Sequence, residues 1–129
     1  MSSEKEGVST YKEFEKSVLP RVKKAGYNAI QVMAIAEHPY YGSFGYHVAN
    51  FFAPSSRFGT AEELRSLVDR AHELGIAVIM DLVHAHYVKN FAEGINQLDG
   101  SDHHYSKPGD AGYQKYWDSM IFDYGKREV

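Results

Sequence analysis

Three polar side chains at the end of an apolar run are of the types that build binding and catalytic sites. Asp81 interrupts the sequence IAVIMDLVHAH, residues 76–86, and His84 and His86 follow it. Continuous apolar runs are typical of buried parallel strands, whose carboxyl ends form the ligand-binding edge of barrels and open α/β sheets. The position of Asp81 and His86 at such an edge therefore favours a binding or catalytic site. The alternative is structural: a capped turn, with histidines that satisfy loop carbonyls.

The two histidines also allow a metal-site hypothesis. An H-x-H pattern at a strand end can place two imidazoles on one side, as in a metal-dependent barrel hydrolase. Such a site needs further ligands, and the chain has no cysteine to supply a thiolate. A zinc centre on His84 and His86 stays an alternative, which a zinc titration without tight uptake would remove.

A second segment that could contribute to a binding site lies upstream, at residues 40–64, with the sequence YYGSFGYHVANFFAPSSRFGTAEEL. Together with MDLVHAH it resembles the α-amylase superfamily of glycoside-active barrels, in which GY-x-x-x-x-F-x-A-P follows the second strand and D-x-V-x-x-H ends the third. The matching residues are Gly45, Tyr46, Phe51, Ala53, Pro54, Asp81, Val83 and His86.

The flanking sequence narrows this resemblance. Residues 25–46, 84–105 and 117–129 are similar to the eukaryotic glycogen and starch branching enzymes, and the resemblance covers nearly the whole chain. It implies transfer of an α-1,4-glucan segment to form an α-1,6 branch, with α-1,4-glucan as the partner. Two alternatives stay open: another glycoside hydrolase or isomerase of the superfamily, against which residues 87–124 argue, and an inactive, truncated glucan-binding remnant.

The resemblance also implies roles for individual residues. Tyr46 would stack on the sugar at the cleavage point, because sugars present flat C–H faces that pack on aromatic rings. Asp81 would orient neighbouring groups. His86 would donate a hydrogen bond to a hydroxyl of the same sugar, a contact that can strengthen in an oxocarbenium-like transition state. Trp117 and Glu128 are further candidate glucan contacts.

The same resemblance implies that the segment lacks a calcium ligand and the catalytic carboxylates of the family. Ala85 stands where many amylases have an Asn calcium ligand, and it offers no donor oxygen, so we expect no metal and no cofactor. The family's nucleophilic and acid/base carboxylates lie at the ends of the fourth and fifth strands, which the resemblance places beyond Val129. The segment is therefore expected to contain sugar-binding residues but no catalytic residue, and to have no transferase activity by itself.

Composition limits the partners and the size of the fold. The chain has 129 residues, 43% hydrophobic content and a net charge of −3. Mixed charge argues against a nucleic-acid partner or a polybasic membrane patch. The first sixteen residues lack the apolar core of a secretory signal, and no run is long enough to span a membrane, so we expect a cytoplasmic location.

The elements that must position these residues alternate between helix and strand. Capping boxes predict helices over residues 11–25, with a kink or break at Pro20, and over residues 61–74; Gly26 and Gly75 would end them. Buried strands are predicted at Ala29–Ile35 and from Ile76 onward, in parallel α/β order.

A complete (β/α)8 barrel typically needs about 250 residues. The resemblance thus implies that residues 1–129 are a partial catalytic barrel domain: the first crossover helix, strands two and three and the second helix, without the first strand and strands four to eight. The long connections 36–59 and 84–115 leave the carboxyl ends of strands and are expected to be functional loops. Open sheet edges would favour self-association.

Overall fold

The computed structural model describes residues 7–33 and 35–129. Residues 1–6, which belong to the segment examined for a secretory signal, and Ala34, within the first predicted strand, lie outside the described residues. The helical elements are α1 (Tyr11–Glu13), a π-helical turn (Phe14–Val18), α2 (Leu19–Lys24), α3 (Ala61–Glu73) and short 3₁₀ turns at Tyr41–Ser43, Ser56–Phe58 and Gly109–Gly112. The strands are β1 (Ala29–Val32), β2 (Ala36–Glu37), β3 (Asn50–Pro54), β4 (Ala77–Met80), β5 (His86–Val88), β6 (Tyr113–Gln114) and β7 (Ser119–Ile121).

The chain forms two compact units. The first contains the described part of Met1–Ile35 together with Ala53–Asp81, and the second contains Ala36–Phe52 and Leu82–Val129. None of the described helices is long and apolar enough to cross a membrane.

The first helical segment begins as its sequence predicts. The Thr10 hydroxyl accepts the Glu13 amide at 3.2 Å and the Glu13 carboxylate accepts the Thr10 amide at 2.8 Å, so the capping box is formed. The interruption predicted at Pro20 takes the form of a π-helical turn immediately before it, closed by the Leu19 amide on the Phe14 carbonyl. Because proline clashes with the carbonyl four residues back, a wider turn at this point relieves the clash and keeps the segment helical.

The predicted second helix is confirmed as α3. Thr60 and Glu63 form a second capping box, and the helix ends at Glu73 with Leu74 as its C-cap. The next residue, Gly75, has a φ of 71°, which glycine adopts without strain. Leu67 and Ala71 face inward from α3 and are buried. They pack with Tyr11, Leu19, Phe58 and Ile76 in the core of the first unit.

The parallel pair of strands is confirmed, but its predicted burial is wrong. β1 pairs with β4 from Ala29 opposite Ala77 to Val32 opposite Met80. Ile76 is buried and Val78 packs on the core, whereas Ile79 is 54% exposed. Alternate side chains point to opposite faces of a strand, and the helices of this unit cover only one of them. Both strands are also shorter than predicted, since β1 ends at Val32 and β4 ends at Met80. His86, predicted at the end of the second strand, instead begins the separate strand β5, which pairs antiparallel with β7.

The second unit contains a sheet that the sequence did not indicate. β5 and β6 lie within the connection 84–115, which was predicted to be a loop, and β7 follows it. β5 pairs antiparallel with β7, and β7 pairs antiparallel with β6, in the order β5-β7-β6. A short hairpin turn joins β6 to β7. Tyr87, Val88 and Met120 are buried. The Val88 amide of β5 donates to the Val48 carbonyl at 3.1 Å, so this hydrogen bond connects β5 with the segment that precedes β3.

Candidate functional site

Asp81 lies where the sequence predicted, at the carboxyl end of the parallel pair. Its amide donates to the Val32 carbonyl at 3.1 Å, which continues the ladder one residue beyond β4. The residue is half-buried and belongs to the first unit. The other predicted sugar contacts, Tyr46, His86, Trp117 and Glu128, belong to the second unit.

Tyr46 and His86 are brought together, although 40 residues separate them. His86 Nε2 lies 2.8 Å from the Tyr46 carbonyl oxygen. A carbonyl only accepts, so Nε2 bears the hydrogen, and in the neutral ring Nδ1 is an acceptor. Nδ1 is buried and has no hydrogen-bond partner among the described residues. The Tyr46 ring remains 37% exposed, on a loop held in place by this contact.

Trp117 completes a cluster of rings with His86 and His47, here called the ring cluster. The centroids of the His86 and Trp117 rings are 5.3 Å apart, and those of His47 and His86 are 6.4 Å apart at a near-perpendicular 85°. His86 is the central member and is half-buried, whereas Trp117 is 55% exposed. An exposed indole in contact with an imidazole offers a flat apolar surface on which the apolar face of a sugar can pack.

Three further residues adjoin this cluster, and the sequence analysis did not identify them. The Asp118 carboxylate accepts a hydrogen bond from Lys89 Nζ at 2.7 Å and a second, short one from the Tyr113 hydroxyl. The Lys89 contact lowers the pKa of Asp118, and the Tyr113 hydroxyl and the nearby His47 lower it further. The same contacts raise the pKa values of Lys89 and Tyr113. Because these groups are largely exposed, water screens their interactions.

Glu128 shares a cavity with residues other than those of the ring cluster. It lines a cavity of about 300 Å³ in the second unit whose walls are mostly aromatic. His84 lines the same cavity, and its carbonyl accepts the Tyr124 hydroxyl at 2.9 Å. The two histidines thus have different surroundings: the His84 ring nitrogen lies 3.3 Å from the Leu82 carbonyl, while His86 joins the ring cluster.

No group of three or more His, Cys, Asp or Glu side chains with metal-binding spacing occurs among residues 7–33 and 35–129. The described geometry therefore offers the His84 and His86 pair no third ligand. The ring cluster itself offers a ligand aromatic surfaces and hydrogen-bonding groups.

Comparison with known proteins identifies the family. The family described as "Alpha amylase, catalytic domain" matches residues 16–120, most of the chain. The chain belongs to this α-amylase catalytic-domain family. A solved structure, Eubacterium rectale Amy13B, is similar with a TM-score of 0.61 and 24% identity over 70% of this chain and 17% of that one. That likeness concerns the fold, and with the family match it supports a fragment of a (β/α)8 barrel.

Curated relatives within the α-amylase family narrow the resemblance further. The chain is 61% identical over its whole length to 1,4-alpha-glucan-branching enzyme 2-2, chloroplastic/amyloplastic, of Arabidopsis thaliana. It is 57% identical to the 1,4-alpha-glucan-branching enzyme of Dictyostelium discoideum and 56% identical to that of Saccharomyces cerevisiae. The chain spans 16% of the plant enzyme and 19% of the other two.

Proposed function

We propose that this chain is the part of a 1,4-α-glucan branching enzyme that helps to bind the α-1,4-glucan. The observation that supports it most is identity of 56–61% over the whole chain with three enzymes of that name. In this proposal Tyr46, His86 and Trp117 of the second unit contact the sugar, and Glu128 contacts a more distant part of the glucan. Asp81, in the first unit, keeps the orienting role that the resemblance implies. One of these relatives is chloroplastic or amyloplastic, so the cytoplasmic location stays a prediction from the sequence.

The first unit supports the barrel part of the proposal. In a (β/α)8 barrel the helices cover the outer face of the strands, and residues on the inner face fill the barrel. Val78 of β4 packs on the helical side, while Ile79 is exposed on the opposite side. An open apolar face beside a covered one fits strands that pack against further strands of the same domain.

The second unit supports the sugar-binding part. Glucose units have apolar C–H faces and a rim of hydroxyls, so their sites combine aromatic surfaces with hydrogen-bonding groups. The ring cluster offers the exposed face of Trp117, and the loop before β3 offers Tyr46. Both are joined to His86, which makes it the natural centre of the site.

His86 requires one adjustment to the role that its motif implies. Its Nε2 hydrogen is directed to the Tyr46 carbonyl at 2.8 Å, so donation to a sugar hydroxyl requires this bond to be exchanged. While Nε2 bears the hydrogen of the neutral ring, the buried Nδ1 can only accept. We therefore infer that His86 first supports the Tyr46 loop and the Trp117 ring, and donates to the sugar after the loop moves.

The proposal is tested by affinity electrophoresis of the 129-residue chain through gels that contain amylose. We expect retardation of the wild type and roughly tenfold weaker binding for Trp117→Ala, because losing one aromatic contact costs about 1 kcal/mol or slightly more. Tyr116→Ala is the matched control, since the neighbouring Tyr116 is 92% exposed. Equal retardation of the two variants, or none for the wild type, would contradict the proposal.

We expect the isolated chain to have no branching activity. Retaining glycosyl transfer needs two carboxylates about 5 Å apart, and the resemblance places both outside this segment. The polypeptide by itself should leave the iodine colour of amylose unchanged. A fall in absorbance at long wavelength would show branching and would require a catalytic pair within these residues.

A further inference from the structure

Trp117 lies in a turn whose conformation depends on its neighbour. The turn links β6 to β7, and the Trp117 amide donates to the Gln114 carbonyl at 3.3 Å. Asp118 has a φ of 50°, in the left-handed region that non-glycine residues adopt uncommonly. Asp is among the residues best suited to that region, yet a constraint on its side chain strengthens the preference.

The contacts of Asp118 supply that constraint from two strands. Val88 of β5 lies opposite Ser119 of β7, so Lys89 and Asp118 are the next pair beyond the end of the ladder. Lys89 Nζ reaches the Asp118 carboxylate at 2.7 Å, and the Tyr113 hydroxyl of β6 donates to the same oxygen. Lys89 Nζ also lies 5.9 Å from the centre of the Tyr113 ring.

The opposite end of β5 places His86 beside Trp117. His86 begins β5 and Lys89 follows its end, so one three-residue strand both presents the imidazole and anchors the turn. The low pKa of Asp118, caused first by Lys89 and then by Tyr113, agrees with a carboxylate that is ionised and paired near neutral pH. The facing charged and titratable groups are Lys89, Tyr113 and His47.

We propose that Asp118 is a positioning residue for glucan binding: bonded to Lys89 and Tyr113, it fixes the turn so that the Trp117 indole packs against His86. The sugar then meets an aromatic face that is already oriented. Asp118, Lys89 and Tyr113 act through Trp117 and do not themselves contact the sugar. The effect of Asp118 on glucan binding rests on the proposed function. The effect of Asp118 on the position of the Trp117 ring does not.

The fluorescence of Trp117 gives a direct test, because it is the chain's only tryptophan. We would measure its emission maximum and its quenching by acrylamide in the full chain, with and without maltoheptaose. Asp118→Asn and Lys89→Met should make the indole more accessible and weaken maltoheptaose binding about threefold, the scale of a surface ion pair. Lys89→Arg, which retains the charge, should restore both values.

Two controls separate positioning from a general loss of structure. Lys115→Met removes a charge from the same turn and should change neither quenching nor affinity. Tyr113→Phe removes a single hydroxyl and should give an intermediate effect, even if Asp118→Asn fails to fold. Wild-type quenching in Asp118→Asn and Tyr113→Phe would overturn the proposal.

The combined outcomes distinguish this inference from the proposed function. If maltoheptaose does not bind the wild type but the variants still expose Trp117, the positioning stands and the glucan-binding function falls. If maltoheptaose binds the wild type and the variants equally, with unchanged quenching, the positioning falls and the function stands. Weaker binding with increased quenching, restored by arginine, supports both.

Discussion

At the scale of single residues, His84 provides a matched control for a substitution of His86. They are two positions apart in one sequence motif, yet only His86 contacts the Tyr46 loop and Trp117. Replacing His86 with Ala removes a hydrogen bond and a ring contact, so we expect maltoheptaose affinity to fall roughly tenfold, a loss of about 1.4 kcal/mol. Isothermal titration calorimetry measures it. His84→Ala should bind like the wild type, and a larger loss for His84→Ala than for His86→Ala would contradict the assignment.

Asp99 offers a prediction about pH. The Ser101 amide and hydroxyl each donate to its carboxylate at 2.9 Å, and these bonds lower the pKa of Asp99 from its usual 3.8 to about 2. His104, 3.0 Å from the carboxylate, adds to the effect. A carboxylate with a depressed pKa stabilises the fold above the unfolded value of about 3.9, and this contribution is lost as the pH falls toward the folded value.

Carbon NMR of the Asp99 carboxyl group checks this prediction. The titration midpoint should lie near 2 in the wild type and move toward about 3.9 in Ser101→Ala, which loses the hydroxyl donor. A midpoint that is the same in both proteins would show that the Ser101 hydroxyl does not hold the carboxylate.

Part of the candidate site could be predicted from the residue types and their spacing. Tyr46, His86 and Trp117 were each named from motif or resemblance, and the structure joins all three. Asp118 and Lys89 were not, because an ion pair between residues 29 positions apart has no local pattern. Their partnership follows from the strand register beyond Val88 and Ser119, which only the fold provides.

At the scale of elements, local signals predicted the first unit well. Both capping boxes, the glycine ends and the parallel strand order were readable because helix termini and buried strands depend on nearby residues. The second unit was missed because β5, β6 and β7 have two or three residues each. Strands that short show no usable alternation, and their stability comes from long-range pairing and burial of Tyr87 and Met120.

The cap of α3 gives a stability prediction. The Thr60 hydroxyl accepts the Glu63 amide at 3.2 Å, so Thr60→Ala leaves that donor without its side-chain partner. We expect a loss of about 1 kcal/mol in the free energy of unfolding, measured by urea denaturation. Thr60→Ser retains the acceptor and should lie close to the wild type. The cap would be unimportant if the alanine and serine variants unfolded at the same urea concentration.

At the scale of the whole molecule, the exposed apolar side chains of β4 predict self-association. Ile79 and Met80 of β4 are 54% and 52% exposed, and in the described residues β4 pairs only with β1. Open strand edges and apolar surface favour association. Ile79→Lys should shift sedimentation toward the monomer, whereas Leu98→Lys, at an exposed site in the second unit, should not. A wild-type chain that stays monomeric at high concentration would contradict this expectation.

A maltoheptaose titration followed by amide and indole NMR shows whether the ring cluster binds α-1,4-glucan. The chain's single tryptophan gives one indole N–H signal, which reports Trp117 alone. We expect saturable shifts of this signal and of the amides of Tyr46 and His86, with little change at Tyr116. Saturable shifts confined to other residues, or no shifts at all, would contradict it.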